Sequence, residues 1–188
     1  TRIAYVTIDT LGNTTDFGNL TQARKNLGST NNDTRAVFIG GEGSESTMDF
    51  ITMANTPLSN ATTFGTLTSG SYQMANGLIS NGTRGVFGIG GGTSSGGYNN
   101  IIEYITIATA GSSTDFGNLT EGRAGQGQAS NGTRGLLAGG KYQSGSGSVR
   151  TTIDYITIAT KGDADDFGDL TVGRSSLSGL SDTGALRE

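Results

Sequence analysis

The strongest constraint on this chain is that it repeats itself. An aromatic residue inside a β-rich hexamer recurs as Tyr5, Phe50, Tyr104 and Tyr155, at spacings of 45, 54 and 51 residues. A Phe-Gly pair, in segments of the type TDFGNLT, keeps the same rhythm: Phe17, Phe64, Phe116 and Phe167 lie 47, 52 and 51 apart. A third anchor, NDTR or NGTR, sets Thr34, Thr83 and Thr133 at spacings of 49 and 50. Each is followed by a glycine cluster: Gly40-Gly41, Gly90-Gly91-Gly92 and Gly139-Gly140. A period of about 50 residues marks a repeat architecture, in which each copy is one supersecondary unit that buries its apolar faces against its neighbours.

Each copy contains pieces of strand length. Piece a runs from an LTxxR segment to a turn, as in Arg123 to Ser130. Piece b is short and apolar, as in Ala36 to Ile39, Val86 to Ile89 and Leu136 to Ala138. Piece c carries the recurring ITIA, and piece d surrounds DFGNLT. Between a and b stands Asn81-Gly82 or Asn131-Gly132, which predicts a type I′ hairpin turn. Pieces b and c are apolar on both alternating faces, so both faces must be covered. Composition agrees: glycine supplies 33 of 188 residues, against an average of ~7%, and Pro57 is the single proline. That is the profile of short strands joined by tight turns. Disorder is rejected because Ile, Val, Tyr and Phe recur on a fixed register.

The order of these anchors resembles the kelch repeat. There a glycine pair ends the second strand, a tyrosine lies in the third, a large aromatic lies near the fourth, and an arginine precedes the next first strand. The matching residues here include Gly90-Gly91, Tyr104, Phe116 and Arg123, with Phe where the family usually carries tryptophan. The wording TDFGNLT and SNGTRG is more specifically similar to kelch-like repeats of bacteriophage structural and tail proteins. The resemblance implies an all-β fold: a small β-propeller of four kelch-like blades, each of four antiparallel strands. Its phases fall at 22–70, 71–122 and 123–173, with one blade closed by both termini, 1–21 plus 174–188, in a single domain over 1–188. In that reading Ile3 to Ile8 meets the C-terminal segment near Ala185-Leu186. A segment of a larger propeller is the alternative.

Several chemistries are excluded by what the chain lacks. Without cysteine there is no disulfide, thiolate metal site or cysteine nucleophile, and without histidine the commonest general base is missing. The net charge of −4 comes with scattered basic residues, not the basic stripe of a nucleic-acid binder. No apolar run approaches the ~20 residues of a membrane helix. The chain begins at Thr1, which implies processing or a longer parent.

Residues that repeat are expected to be scaffold, and residues that differ between copies are candidates for function. Phe17, Phe64, Phe116 and Phe167 are therefore assigned to the core. Arg35, Arg84 and Arg134 either form an anion-binding ring or bond the carbonyls of a neighbouring blade, and the second reading is preferred. The b–c connections vary most, and in a four-stranded meander they share a face with the d–a connections. That face gathers Tyr98, Asn99, Asn100, Lys141, Tyr142 and Gln143, with Tyr72 and Gln73 beside Ser71, which replaces the repeating arginine. Exposed aromatic rings beside amides suit carbohydrate, the ring covering a sugar's C–H face. The acidic run Asp163, Asp165, Asp166 and Asp169 invites calcium, but turn-forming aspartate explains it better, so neither a metal nor another cofactor is expected.

The expected function is a non-enzymatic virion-surface or tail-fibre module, extracellular, that binds a cell-surface glycan or receptor. The alternative is a purely structural fibre or capsid module in contact with other virion or fibre proteins. A homo-oligomer fits either setting; nucleic-acid binding and membrane insertion do not.

Overall fold

The computed structural model describes residues 1–41, 45–53, 58–71, 79–90, 98–142 and 149–179. Every regular element among them is a β-strand, and all pairing is antiparallel. Sheet I holds β1 (Arg2–Tyr5) and β2 (Thr15–Asn19). Sheet II holds β3 (Gly28–Asn31), β4 (Arg35–Ile39), β5 (Glu45–Thr52) and β6 (Thr62–Ser71). Sheet III holds β7 (Ile79–Ser80), β8 (Arg84–Gly88), β9 (Ile101–Thr106) and β10 (Thr114–Asn118). Sheet IV holds β11 (Gly127–Ser130), β12 (Arg134–Ala138), β13 (Arg150–Thr157) and β14 (Asp165–Arg174). The fold is all-β, and sheets II to IV are simple meanders in which pieces b and c pair.

The turns between first and second strands differ from expectation in one respect. The Asn-Gly dipeptide predicts positive φ at both residues, yet only Gly82 and Gly132 have it, at 81° and 82°. The asparagine stands one position earlier, as a cap: Asn81 Oδ1 accepts from the backbone N–H of Thr83 and Arg84, at 3.1 and 2.8 Å. Asn131 does the same for Thr133 and Arg134. Positive φ at the first central residue alone is the type II′ pattern, which needs glycine there. The asparagine is selected for its side-chain acceptor instead.

The sheets stack face to face, which is why strands b and c are apolar on both sides. Between sheets II and III lie Val37, Ile39, Met48 and Phe64 against Phe87, Ile89, Ile105 and Ile107. Between III and IV lie Ile79, Val86, Ile102 and Phe116 against Leu137, Ile156 and Ile158. Ile3 and Phe17 of sheet I meet Ile51 and Ala61 of sheet II. The first strands of sheets II, III and IV also meet: Ser80 Oγ reaches Asn31 O at 3.4 Å, and Ser80 N donates to Ser130 Oγ at 3.2 Å. Each sheet repeats one edge-to-face aromatic pair between its last two strands, with centroids 6.0 to 6.2 Å apart.

The two ends of this stack do not meet among the described residues. β1 pairs only with β2 there, and the Ala185-Leu186 partner expected for it lies outside them. Residues 174–179 run along sheet IV, with Ser176 N donating to Gly125 O at 2.7 Å. Phe17, Phe64 and Phe116 are buried between sheets, whereas Phe167 is 52% exposed.

Candidate functional site

Two of the repeating arginines, Arg35 and Arg84, hold neighbouring sheets together. The Arg35 guanidinium lies 4.2 Å from the Phe50 ring centroid and donates to Ile107 O in the next sheet, at 3.2 Å. Arg84 lies 4.5 Å from the Tyr104 centroid and donates to Ile158 O and Ala159 O, at 3.0 and 3.1 Å. Arg134 keeps the ring contact, 4.5 Å from the Tyr155 centroid. Stacking on an aromatic face while the fork bonds carbonyls is a role lysine would fill poorly.

Two arginines of the LTxxR segments, Arg24 and Arg123, have buried side chains, whereas Arg174 is exposed. Arg24 Nη2 lies 2.6 Å from Asp49 Oδ2, and Arg123 Nη2 lies 3.0 Å from Asp154 Oδ2. Burial pushes both guanidinium groups below the usual arginine range, opposed by the attraction of the paired aspartate. Each carboxylate also accepts from the threonine three residues before the arginine: Thr21 Oγ1 to Asp49 at 2.6 Å, Thr120 Oγ1 to Asp154 at 2.7 Å. In sheet III the equivalent carboxylate is Glu103, which accepts from Thr68 and Ser113 hydroxyls. Sequence reasoning missed these acids. The available signal was an acidic residue directly before the third-strand aromatic in Asp49-Phe50, Glu103-Tyr104 and Asp154-Tyr155.

The acidic run after Thr160 is engaged locally. Asp163 Oδ1 accepts from Asn118 N at 2.9 Å, Asp166 Oδ1 from Gly168 N at 3.2 Å, and Asp169 Oδ1 from Thr151 Oγ1 at 2.8 Å. These are turn and joint contacts, the chemistry short acidic side chains supply in turns.

The variable connections supply the remaining candidates. Tyr72, Gln73 and Gln143 lie outside the described residues. Tyr98, expected as an exposed ring, is only 9% exposed. The reason is a close approach: a Cβ at Gly122 would sit 2.1 Å from Tyr98 O, so the chain beds down where only glycine allows it. Asn99 is half-buried beside that contact, and Asn100 is exposed but tied down, with Nδ2 donating to Leu119 O at 3.3 Å.

Lys141 and Tyr142 lead from the same neighbourhood to the surface. Lys141 exchanges backbone hydrogen bonds with Ala124, at 2.9 and 3.0 Å, which fixes the root of its connection. Tyr142 is 43% exposed, with the Arg150 guanidinium 4.9 Å from its ring centroid. Arg150 Nε lies 3.1 Å from Glu121 Oε2, and Thr152 Oγ1 donates to Glu121 Oε1 at 2.9 Å. Glu121 Oε1 is also 3.8 Å from Arg123 Nη1. A polar chain thus runs from the exposed tyrosine through Arg150 and Glu121 to the buried Arg123–Asp154 pair. Arg150 and Glu121 were not singled out from the sequence, because single charges in a strand and a connection look like solvated surface. The edge offers a ring face, a guanidinium, an ammonium, a carboxylate and amides, which is equipment for binding polar ligands. No protein-family model matches this sequence, and no curated protein matches it either.

Proposed function

We propose that the chain is a non-enzymatic binding module of a virion or other extracellular surface, which holds a cell-surface glycan against Tyr142. In this reading the four sheets are blades of a kelch-like propeller, supported by their face-to-face stacking and the meeting of β3, β7 and β11. One observation carries the proposal. The described buried charges are spent on holding sheets together, while Tyr142, on the most variable connection, is exposed and braced by Arg150 and Glu121. A ring held this way covers a sugar's C–H face at little entropic cost, while Lys141 and Asn99 reach its hydroxyls.

The test is a glycan array followed by titration of the best hit. Tyr142→Ala should weaken binding by about 1–3 kcal/mol, as aromatic anchors do, and leave the melting temperature within the ~0.5 kcal/mol range of surface changes. Tyr98→Ala should lose stability instead, since its ring is buried. Normal glycan binding by Tyr142→Ala would remove the edge from consideration. The purely structural reading, with contacts to other fibre or virion proteins, would then stand; the open faces of sheets I and IV favour it.

A further inference from the structure

Each joint between neighbouring sheets is assembled from the same parts. The fourth-strand phenylalanine is buried in it, and the glycine after it abuts the turn between the third and fourth strands of the next sheet. A Cβ at Gly18 would lie 2.9 Å from Ser59 O, at Gly65 2.2 Å from Gly111 O, and at Gly117 2.2 Å from Gly162 O. Polar pairs flank the contact: Asn19 N donates to Asn60 Oδ1 at 2.9 Å, and Asn118 N to Asp163 Oδ1 at 2.9 Å. Across two of the joints an arginine reaches the carbonyl of the apolar residue that follows the third strand, Ile107 or Ile158.

Among the described residues, sheet IV presents one half of such a joint, around Phe167, with no sheet opposite. Phe167 is exposed beside a cleft of about 420 Å³, lined by Ala129, Ser130, Asn131, Arg134, Leu136 and Phe167. A Cβ at Gly168 would meet nothing within 4 Å. Sheet I presents the other half. Ile8 occupies the repeat position of the buried Ile107 and Ile158, yet it is 94% exposed, and Val6 and Leu11 beside it are exposed as well. Gly12, in the position of Gly111 and Gly162, is open too. Ile3 and Phe17 occupy the face of sheet I that packs on sheet II, which leaves the opposite, Ile8 face exposed in a single copy.

We propose that these two half-joints meet between molecules: the Phe167 face of one copy receives the Ile8 face of a second copy, head to tail. The contact is heterologous, so it closes a ring or extends. Complementarity identifies the occupant. Asp169 would face Asn13, the amide–carboxylate pairing already used by Asn118 and Asp163 with the two roles exchanged, so no like charges meet. Arg134, stacked on Tyr155, is placed to donate to the Ile8 carbonyl of the second copy as Arg35 and Arg84 do within the chain. One part is missing. Ala4 stands where the other sheets carry Asp49, Glu103 or Asp154, opposite Arg174 in the position of Arg24 and Arg123. The intermolecular joint therefore lacks the buried acid and is weaker than the internal ones.

The experiment is sedimentation velocity of the 188-residue chain across a concentration series. The wild type should associate reversibly. Ile8→Asp and Phe167→Asp should each be monomeric alone. Mixed together they should form a one-to-one heterodimer and nothing larger, because each retains the face the other has lost. Leu11→Lys provides a second lesion on the Ile8 side. Circular dichroism checks that these exposed substitutions leave the fold intact. Ala4→Asp should tighten association about tenfold, the scale of one charge-assisted hydrogen bond. A wild type that stays monomeric at every concentration overturns the proposal, whether its faces stay bare or close on each other. Association that survives both single substitutions overturns it too.

Discussion

The joints on either side of sheet III have one geometry and two chemistries. At the joint with sheet IV, Asp154 accepts from Thr120 N and Oγ1 and from Arg123, which also donates to Leu137 O at 3.0 Å. At the joint with sheet II, a longer acid, Glu103, accepts from Thr68 N, the Thr68 hydroxyl and the Ser113 hydroxyl. Ser71 stands in the arginine's position there. Ser113 in turn stands where sheets II and IV have Ala61 and Ala164. A fully buried carboxylate must have its lone pairs filled. Among the described partners, a cation meets the carboxylate at one joint and two hydroxyls meet it at the other, and side-chain length and the neighbouring turn change together.

The largest effect should come from breaking the charged version. Arg123→Met would leave Asp154 buried without its cation, a loss that typically costs about 3–5 kcal/mol. Urea denaturation would measure it. Arg123 is itself incompletely satisfied, since its Nε and Nη1 have no hydrogen-bond partner among the described residues. Burial therefore outweighs attraction at this group, in line with its lowered pKa. Replacing both partners, Arg123→Met with Asp154→Leu, should accordingly recover most of the loss. A double variant no more stable than Arg123→Met would show that the pair is held by something other than mutual neutralisation.

The next effect separates the two chemistries. Thr68→Val removes a hydroxyl from Glu103, and Thr120→Val removes one from Asp154. Hydrogen bonds to charged groups contribute about 1.5–3 kcal/mol, and Thr68→Val should fall in that range. Thr120→Val should cost less, because Arg123 remains beside Asp154 to hold its charge. Equal losses in thermal or urea melts would mean that Arg123 does not carry the charge of its node.

These nodes also mark how far the sequence could be read. The repeat, the strand order and the turn positions were legible because their causes are local: glycine at positive φ, aromatic residues in fixed register, alternation along a strand. Phe17, Phe64 and Phe116 followed from that register, and Phe167 did not, because its burial depends on a neighbour the local sequence cannot report. The acids Asp49, Glu103 and Asp154 were opaque for a related reason. One charged residue in a strand reads as a solvated face until the preceding connection brings threonine and arginine onto it. Tyr98 was misjudged as exposed because loop composition says nothing about a backbone approach permitted by Gly122, some twenty residues on.

The smallest effect concerns the acids that flank the two arginine nodes. Glu121 lies beside Arg123, and Glu45, which stands at the repeat position of Arg150, lies near Arg24. Hydrogen bonds from Thr47, its N–H donating to Glu45 Oε1 at 2.8 Å, hold the Glu45 carboxyl below its ordinary range, helped by Gln22 and the Arg24 charge. A carboxyl whose folded-state pKa is depressed contributes stability that is present above its unfolded value. That stability is lost as pH falls through the folded value. Glu45→Gln should therefore be slightly less stable than the wild type at neutral pH, and the two should converge toward about pH 3, below the usual carboxylate range. The group is only partly buried, so screening keeps the difference smaller than that of Thr68→Val. Paired melts at the two pH values measure it. A difference that persists unchanged into acid would assign Glu45 a packing role, and the arginine nodes would then differ from the Glu103 node by the buried pair alone.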